Sequence, residues 1–145
     1  GFLAVALARA VLGNLPLDEY LNSWIMGGVV LAVFLGHLFP IFHGFKGGKG
    51  VATAAGVLFG VDLWLGLATM ATWLIVAYFS RYSSLAALAS AVFAPAYYFL
   101  GHRVVWYVDD RVLIAVAAMS ALLIWRHQGN IAKLIRGEES RIGQR

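Results

Sequence analysis

Long apolar segments separated by short polar connectors are the feature that most restricts how this chain can fold. Of its 145 residues, 61% are hydrophobic and only 12% are charged, and the mean hydropathy is +0.80. Soluble domains carry about a quarter charged residues, so a water-filled environment does not suit this chain. We therefore predict an all-α fold, a polytopic transmembrane helix bundle, built as a single integral membrane domain over residues 1–145.

The apolar segments predict about six transmembrane helices. In order, they cover residues 1–13, 20–39, 51–80 divided in two at Asp62, 85–100 and 108–125. The division at Asp62 is not decided by hydropathy, because residues 51–80 also suit one long tilted helix. After residue 125 the chain becomes a basic tail that contains several glycines.

The distribution of basic residues favours a turn at Asp62. With the turn, eight basic residues share one side of the membrane and two lie opposite, whereas a single helix would give six against four. Because lysine and arginine concentrate on the cytoplasmic side, the turn is preferred. The eight are Lys46, Lys49, Arg81, Arg126, Lys133, Arg136, Arg141 and Arg145, and the two are Arg103 and Arg111. The chain would then cross the membrane several times, with its basic loops facing the cytoplasm.

A loop rich in glycine and lysine, residues 44–50 with the sequence GFKGGKG, joins the second and third predicted helices, and Thr53 lies in the first turn of the third. Glycines let successive backbone N–H groups converge on one point, lysines add positive charge, and the first N–H groups of the next helix face the same way. We therefore predict a phosphate-binding site. Its residues would be Lys46, Gly47, Gly48, Lys49, Gly50, Thr53 and, from a neighbouring loop, Arg81.

Two other kinds of loop share glycine and lysine residues with this one, the nucleotide-binding P-loop and the basic loop of a membrane protein. A nucleotide-binding P-loop needs four residues between glycine and Gly-Lys and then Ser or Thr, but only three separate Gly44 from Gly48, and Lys49 precedes Gly50. That class is excluded. A flexible basic loop attracted to anionic lipid headgroups stays open on composition alone.

The same residues resemble a known family, the PlsY-type membrane glycerol-3-phosphate acyltransferases. The resemblance rests on GH-x-FP-x-F followed by FKGGKGVAT at residues 36–53, on Arg81-Tyr82 with Ser84-Leu85, and on Arg126-His127, Asn130-Ile131, Leu134 and Gly137-x-Glu139. The first signature of this family would lie upstream of Gly1, so we expect a fragment without its N-terminal portion. About seven helices are expected in a complete member.

The resemblance implies an enzyme that transfers an acyl group from acyl-phosphate to glycerol 3-phosphate, giving lysophosphatidic acid for phospholipid biosynthesis. The candidate catalytic residues are His127, Asn130, Lys49 and Ser84, with His37 and Glu139 as supporting residues. His127 suits three roles, namely a general base, a hydrogen-bond donor to phosphate, or a side chain that orders the tail. Ser84 has no His and Asp near it in sequence, which favours hydrogen bonding over nucleophilic attack.

Other function classes are less consistent with the residue pattern. The chain has no cysteine and no histidine and carboxylate cluster with metal spacing, so we predict neither a metal nor a cofactor. The net charge of +4 comes from short loops between apolar segments, which suits membrane lipids and not nucleic acid. The alternative function is a transporter of a small anionic solute, whose glycine-broken segment would lie near the bilayer midplane. Protein partners are not indicated.

Overall fold

The computed structural model describes residues 1–41, 44–45 and 47–144. Over these ranges the chain forms seven helices. They are α1 (Phe2–Leu12), α2 (Glu19–Leu38), α3 (Val51–Val61), α4 (Leu63–Ser80), α5 (Ser83–Leu100), α6 (Asp110–Arg126) and α7 (Gln128–Arg136). The first six correspond to the six predicted helices, with ends that differ by at most two residues.

Three aspartates cap the free N–H groups at the starts of α2, α4 and α6. Asp62 accepts hydrogen bonds from the backbone N–H of Trp64 at 2.8 Å and of Leu65 at 3.1 Å. Asp18 and Asp109 cap α2 and α6 in the same way. Because a capping side chain replaces the missing intrahelical partner, Asp62 ends one helix and starts the next within a single residue.

The predicted turn at Asp62 is confirmed by the packing of α3 against α4. An added Cβ at Gly66 would collide with the ring and backbone of Phe59, which places the two helices side by side just past the turn. With 11 residues, α3 rises only about 17 Å, well short of the roughly 30 Å hydrocarbon core.

Small residues let α1 approach α3 closely. An added Cβ at Gly60 would lie 2.6 Å from the Cβ of Val5, and one at Gly56 would lie 2.8 Å from the backbone N of Phe2. The Arg9 guanidinium donates a hydrogen bond of 2.5 Å to the Val61 carbonyl oxygen. A glycine at every fourth position is a common contact surface between membrane helices, and here it fixes the position of α3.

Much of the remaining helix surface is apolar and outward-facing, as in a protein surrounded by lipid. Tyr78 and Phe79 are each 80% exposed. By length and composition, α2, α4 and α5 can each cross a membrane, and α6 with α7 makes a fourth candidate span that is bent by 54° at His127. Residues 128–136 belong to the predicted basic tail and were not counted among the six predicted helices; in the structure they form α7.

Candidate active site

The glycine-rich loop lies so close to its neighbours that two of its positions have no room for a side chain. A Cβ at Gly47 would overlap the backbone carbonyl oxygens of His37 and Leu38. A Cβ at Gly50 would lie 2.5 Å from the Phe34 ring, and Gly50 also has a φ of +81°, a conformation that favours glycine. Gly50 is the residue that precedes α3, so the loop ends at the free N–H groups of that helix. Lys46, one of the predicted phosphate ligands, lies outside the described residues.

Arg126, the last residue of α6, holds this loop in place. Its Nη2 donates to the carbonyl oxygen of Gly47 at 2.9 Å and to that of Gly48 at 3.4 Å. The contact joins residues 79 positions apart. The sequence placed Arg126 among the residues that resemble the family, but not among the predicted site residues. No local sequence pattern predicts a contact between residues so far apart in the chain.

His127 is almost completely buried, with 1% of its surface exposed. Its Nδ1 lies 2.8 Å from the Leu123 carbonyl oxygen; since a carbonyl only accepts, Nδ1 carries the proton there. Burial is the main cause that lowers the pKa of His127, and the nearby Lys49 charge lowers it further. The hydrogen bond to Leu123 and the Glu139 charge raise this pKa, but the net shift is downward. At neutral pH the ring is therefore neutral, and its Nε2 is an unprotonated acceptor.

Asn130, Glu139 and Ser84 form a polar cluster next to His127. The Asn130 side-chain N–H donates to Glu139 Oε1 at 2.7 Å. The Ser84 hydroxyl is the main cause that holds the pKa of Glu139 below its usual range, followed by Asn130 and Lys49. The Ser84 oxygen is nevertheless buried without a hydrogen bond of regular geometry among the described residues. Because a hydroxyl carries one proton, Ser84 can donate it either to Glu139 or to a bound ligand.

Two hydrogen bonds join Arg81 to Ile142 in the C-terminal tail. Its Nη2 donates to the Ile142 carbonyl oxygen at 3.0 Å, and its own carbonyl accepts from the Ile142 N–H at 2.6 Å. The neighbouring Tyr82 hydroxyl accepts from Arg141 at 3.0 Å. These bonds fasten residues 141–142 to the α4–α5 turn, which gives Arg81 a structural task that the sequence did not indicate.

The other two predicted site residues, His37 and Thr53, lie on either side of the glycine-rich loop. The ring of His37 lies beside Gly48, with its Nε2 3.0 Å from the position of an added Cβ there. Thr53 is in the first turn of α3. The loop, the α4–α5 turn and the segment after α6 thus meet at one end of the bundle, as the turn at Asp62 predicted. The individual roles of these residues stay predictions.

An apolar groove of about 300 Å³ opens beside this cluster between four helices. On α3 it runs from Val51, next to the glycine-rich loop, to Leu58. Its lining on the other helices is Gly66, Thr69, Met70, Trp73, Ala87, Ser90, Ala91, Ala94, Met119, Ser120 and Leu123. Small side chains on α5 keep the groove open, and its apolar lining suits a hydrocarbon chain.

Similar sequences identify the family of this chain. The sequence model described as glycerol-3-phosphate acyltransferase matches residues 1–137. This chain belongs to the glycerol-3-phosphate acyltransferase family. It is 55% identical over 145 residues to the glycerol-3-phosphate acyltransferase of Bordetella pertussis and 57% identical to that of Ralstonia pickettii. These matches cover 100% of the chain but 65% and 66% of the two relatives.

Solved structures of a family member have the same fold. The glycerol 3-phosphate form of PlsY (YgiH), an integral membrane glycerol 3-phosphate acyltransferase, matches with a TM-score of 0.84 and 36% identity, and covers 99% of this chain and 66% of that one. Its lysophosphatidic acid form matches with a TM-score of 0.84 and 35% identity. The family resemblance and the predicted membrane helix bundle are confirmed. The chain spans slightly less than two thirds of the length of these relatives.

Proposed function

We propose that the protein transfers an acyl group from acyl-phosphate to a hydroxyl of glycerol 3-phosphate and so makes lysophosphatidic acid for phospholipid biosynthesis. One observation carries this proposal. A glycine-rich loop held by Arg126, a buried neutral histidine and an apolar groove all meet at one end of the bundle. These three parts suit a phosphate, a reacting hydroxyl and an acyl chain.

The phosphate of glycerol 3-phosphate binds at the glycine-rich loop. Lys49 supplies charge beside His127 and Glu139, since its field reaches both. The free N–H groups at the start of α3 add donors and the positive end of the helix dipole. Arg126 keeps the loop in the conformation that presents these groups. Lys46, Gly47, Gly48, Gly50 and Thr53 are proposed as further phosphate contacts, with Arg81 as a more distant one that mainly holds the tail.

The acyl transfer is a direct displacement without a covalent enzyme intermediate. The glycerol hydroxyl oxygen attacks the acyl carbonyl carbon, the bond from that carbon to the phosphate oxygen breaks, and inorganic phosphate departs. In the bound substrate the hydroxyl donates its hydrogen bond to His127 Nε2, which orients the attacking oxygen. As the ester bond forms, this proton passes to His127 Nε2 and from there to the departing phosphate, which leaves the ring neutral again. Asn130 and Ser84 donate to the reacting oxygens, and Glu139 positions Asn130 through the 2.7 Å hydrogen bond.

The donor's hydrocarbon tail occupies the apolar groove. The groove begins at Val51, the residue after Gly50, so the acyl carbonyl would lie at the glycine-rich loop when the tail lies between the helices. The solved relatives in a glycerol 3-phosphate form and a lysophosphatidic acid form support the acceptor and the product. The activated donor is inferred from the family resemblance.

The site is proposed to face the cytoplasm of a bacterial inner membrane. Single cysteines at Ser83 and Gln128, both exposed at the site end, should react with a membrane-impermeant thiol reagent only from the cytoplasmic side. A cysteine at Tyr107, which is 83% exposed at the other end, should react only from outside. Labelling of the first two positions from opposite sides would contradict the topology.

The activity of this protein and of all its variants is tested with the full-length protein purified in detergent, labelled glycerol 3-phosphate and three donors: acyl-phosphate, acyl-coenzyme A and acyl carrier protein thioester. Of the three donors, only acyl-phosphate should give lysophosphatidic acid. Formation only with a thioester would overturn the donor assignment. Uptake of glycerol 3-phosphate into proteoliposomes, with no product from any donor, would instead support the transporter.

A further inference from the structure

The helix α7 has an apolar face that the described part of the chain covers only in part: Ile131 and Leu134 are half-buried, whereas Ile135 is exposed. It follows α6 after a bend of 54°, and none of its nine residues, all of which the structure describes, is buried. Ile135 is 81% exposed. Ile131, Leu134 and Ile135 have the spacing that places them on one side of a helix.

The opposite side of α7 is basic. Lys133 and Arg136 are three residues apart and therefore lie together, and α7 contains no acidic residue. Arg136 pairs with Glu138 at 2.7 Å, but the two side chains are 55% and 59% exposed, so this pair contributes little and can exchange partners. Basic residues in a last turn also suit the helix dipole. The dipole does not explain an exposed isoleucine on the other face.

We propose that α7 lies in the headgroup layer of the bilayer and binds anionic phospholipids. In this arrangement Ile131 and Ile135 enter the boundary of the acyl chains, while Lys133 and Arg136 extend to the lipid phosphates. A helix with one apolar and one basic face binds membranes in this way, and its affinity rises with the content of anionic lipid. The position of α7 agrees with this, because it begins where the apolar helix α6 ends. The inference does not depend on the proposed enzymatic activity.

The contribution of the basic face can be expressed as a change in equilibrium. A lysine or arginine near an anionic surface contributes a factor of about five to binding. Replacing both Lys133 and Arg136 by glutamine should therefore shift the ratio of docked to undocked α7 by about twenty-fivefold when anionic lipid is present, and by much less when it is absent.

The experiment uses fluorescent labels on single cysteines, which is straightforward because the sequence contains no cysteine. One label is placed at Ile135. The matched control is placed at Gly129, on the polar side of the same helix, where an added side chain meets nothing within 4 Å. Each protein is studied in nanodiscs of phosphatidylcholine with and without phosphatidylglycerol. Neutral acrylamide quenches labels in water, and spin-labelled lipids quench those in the headgroup region.

The label at Ile135 should be quenched by the lipid and protected from acrylamide, more strongly with phosphatidylglycerol, and the label at Gly129 should show the reverse. The double glutamine variant should lose the effect of phosphatidylglycerol at position 135. Equal acrylamide quenching at both positions would overturn docking on the bilayer. Protection of position 135 from both quenchers would overturn it too, because another protein segment would then cover the face. Quenching that does not respond to phosphatidylglycerol would overturn the anionic preference.

Discussion

Replacing Arg126 tests whether the glycine-rich loop must be held from a distance. The Arg126→Gln variant removes two charge-assisted hydrogen bonds, one of 2.9 Å to the Gly47 oxygen and a weaker one of 3.4 Å to the Gly48 oxygen. A hydrogen bond to a charged group contributes about 1.5 to 3 kcal/mol. Because the site is only partly buried, we count the shorter bond at the lower limit and expect about a tenfold higher KM for glycerol 3-phosphate.

The control variants separate loop geometry from general charge. Arg126→Lys keeps the charge but loses the planar guanidinium, so it should recover only part of the affinity. Arg103→Gln removes the same charge at the opposite end of the bundle and should leave KM unchanged. All variants are measured by steady-state acylation in detergent after a check that each is monodisperse. An unchanged KM in folded Arg126→Gln would refute the reasoning and show that the glycines alone hold the loop.

Three further predictions concern the loop, the groove and the histidine. Gly48→Ala should raise the KM for glycerol 3-phosphate about tenfold or more. If the cause is the added methyl group, which would lie 3.0 Å from His37 Nε2, the double variant with His37→Ala should restore the original KM. Ala94→Leu fills the end of the groove that lies farthest from the loop and should lower kcat/KM for the longest acyl donors about fiftyfold, at about 0.8 kcal/mol for each of three displaced methylenes. The control variant Ala89→Leu, on the same helix but outside the groove, should not change the chain-length preference. The kcat should fall as the pH is lowered, with a midpoint below 6.5, the ordinary pKa of histidine, because protonation of His127 removes the Nε2 acceptor. The His127→Gln variant should not show this fall at low pH. A midpoint above 6.5 would contradict the neutral ring.

The helices were predictable because they depend on local patterns. Apolar runs bounded by Asp18, Asp62 and Asp109 gave the starts of α2, α4 and α6, since each aspartate caps the helix that follows it. The turn at Asp62 also required a global argument from charge distribution. Charge and capping chemistry lead here to the same structure, which explains why that prediction was correct.

The contacts within the site were less predictable because they join distant parts of the chain. Arg126 and Arg81 are both basic residues at helix ends, and the sequence favoured Arg81 as a phosphate ligand. In the structure Arg126 reaches the glycine-rich loop, whereas Arg81 binds the backbone of Ile142. Which arginine faces which loop depends on helix rotation, and no periodicity of the local sequence determines that.

The unequal lengths of α3 and α4 give the candidate site a shape that fits the proposed acyl donor. The two helices share the turn at Asp62, but α3 has 11 residues and α4 has 18, so α3 begins about 10 Å short of the level where α4 ends. The groove supports this estimate, because Val51 lines it together with Trp73, seven residues before the end of α4. The glycine-rich loop is therefore recessed below the level of Arg81. A membrane-dissolved acyl donor can then keep its tail among the helices while its carbonyl reaches the loop, and a water-soluble phosphate reaches the same point from the open end.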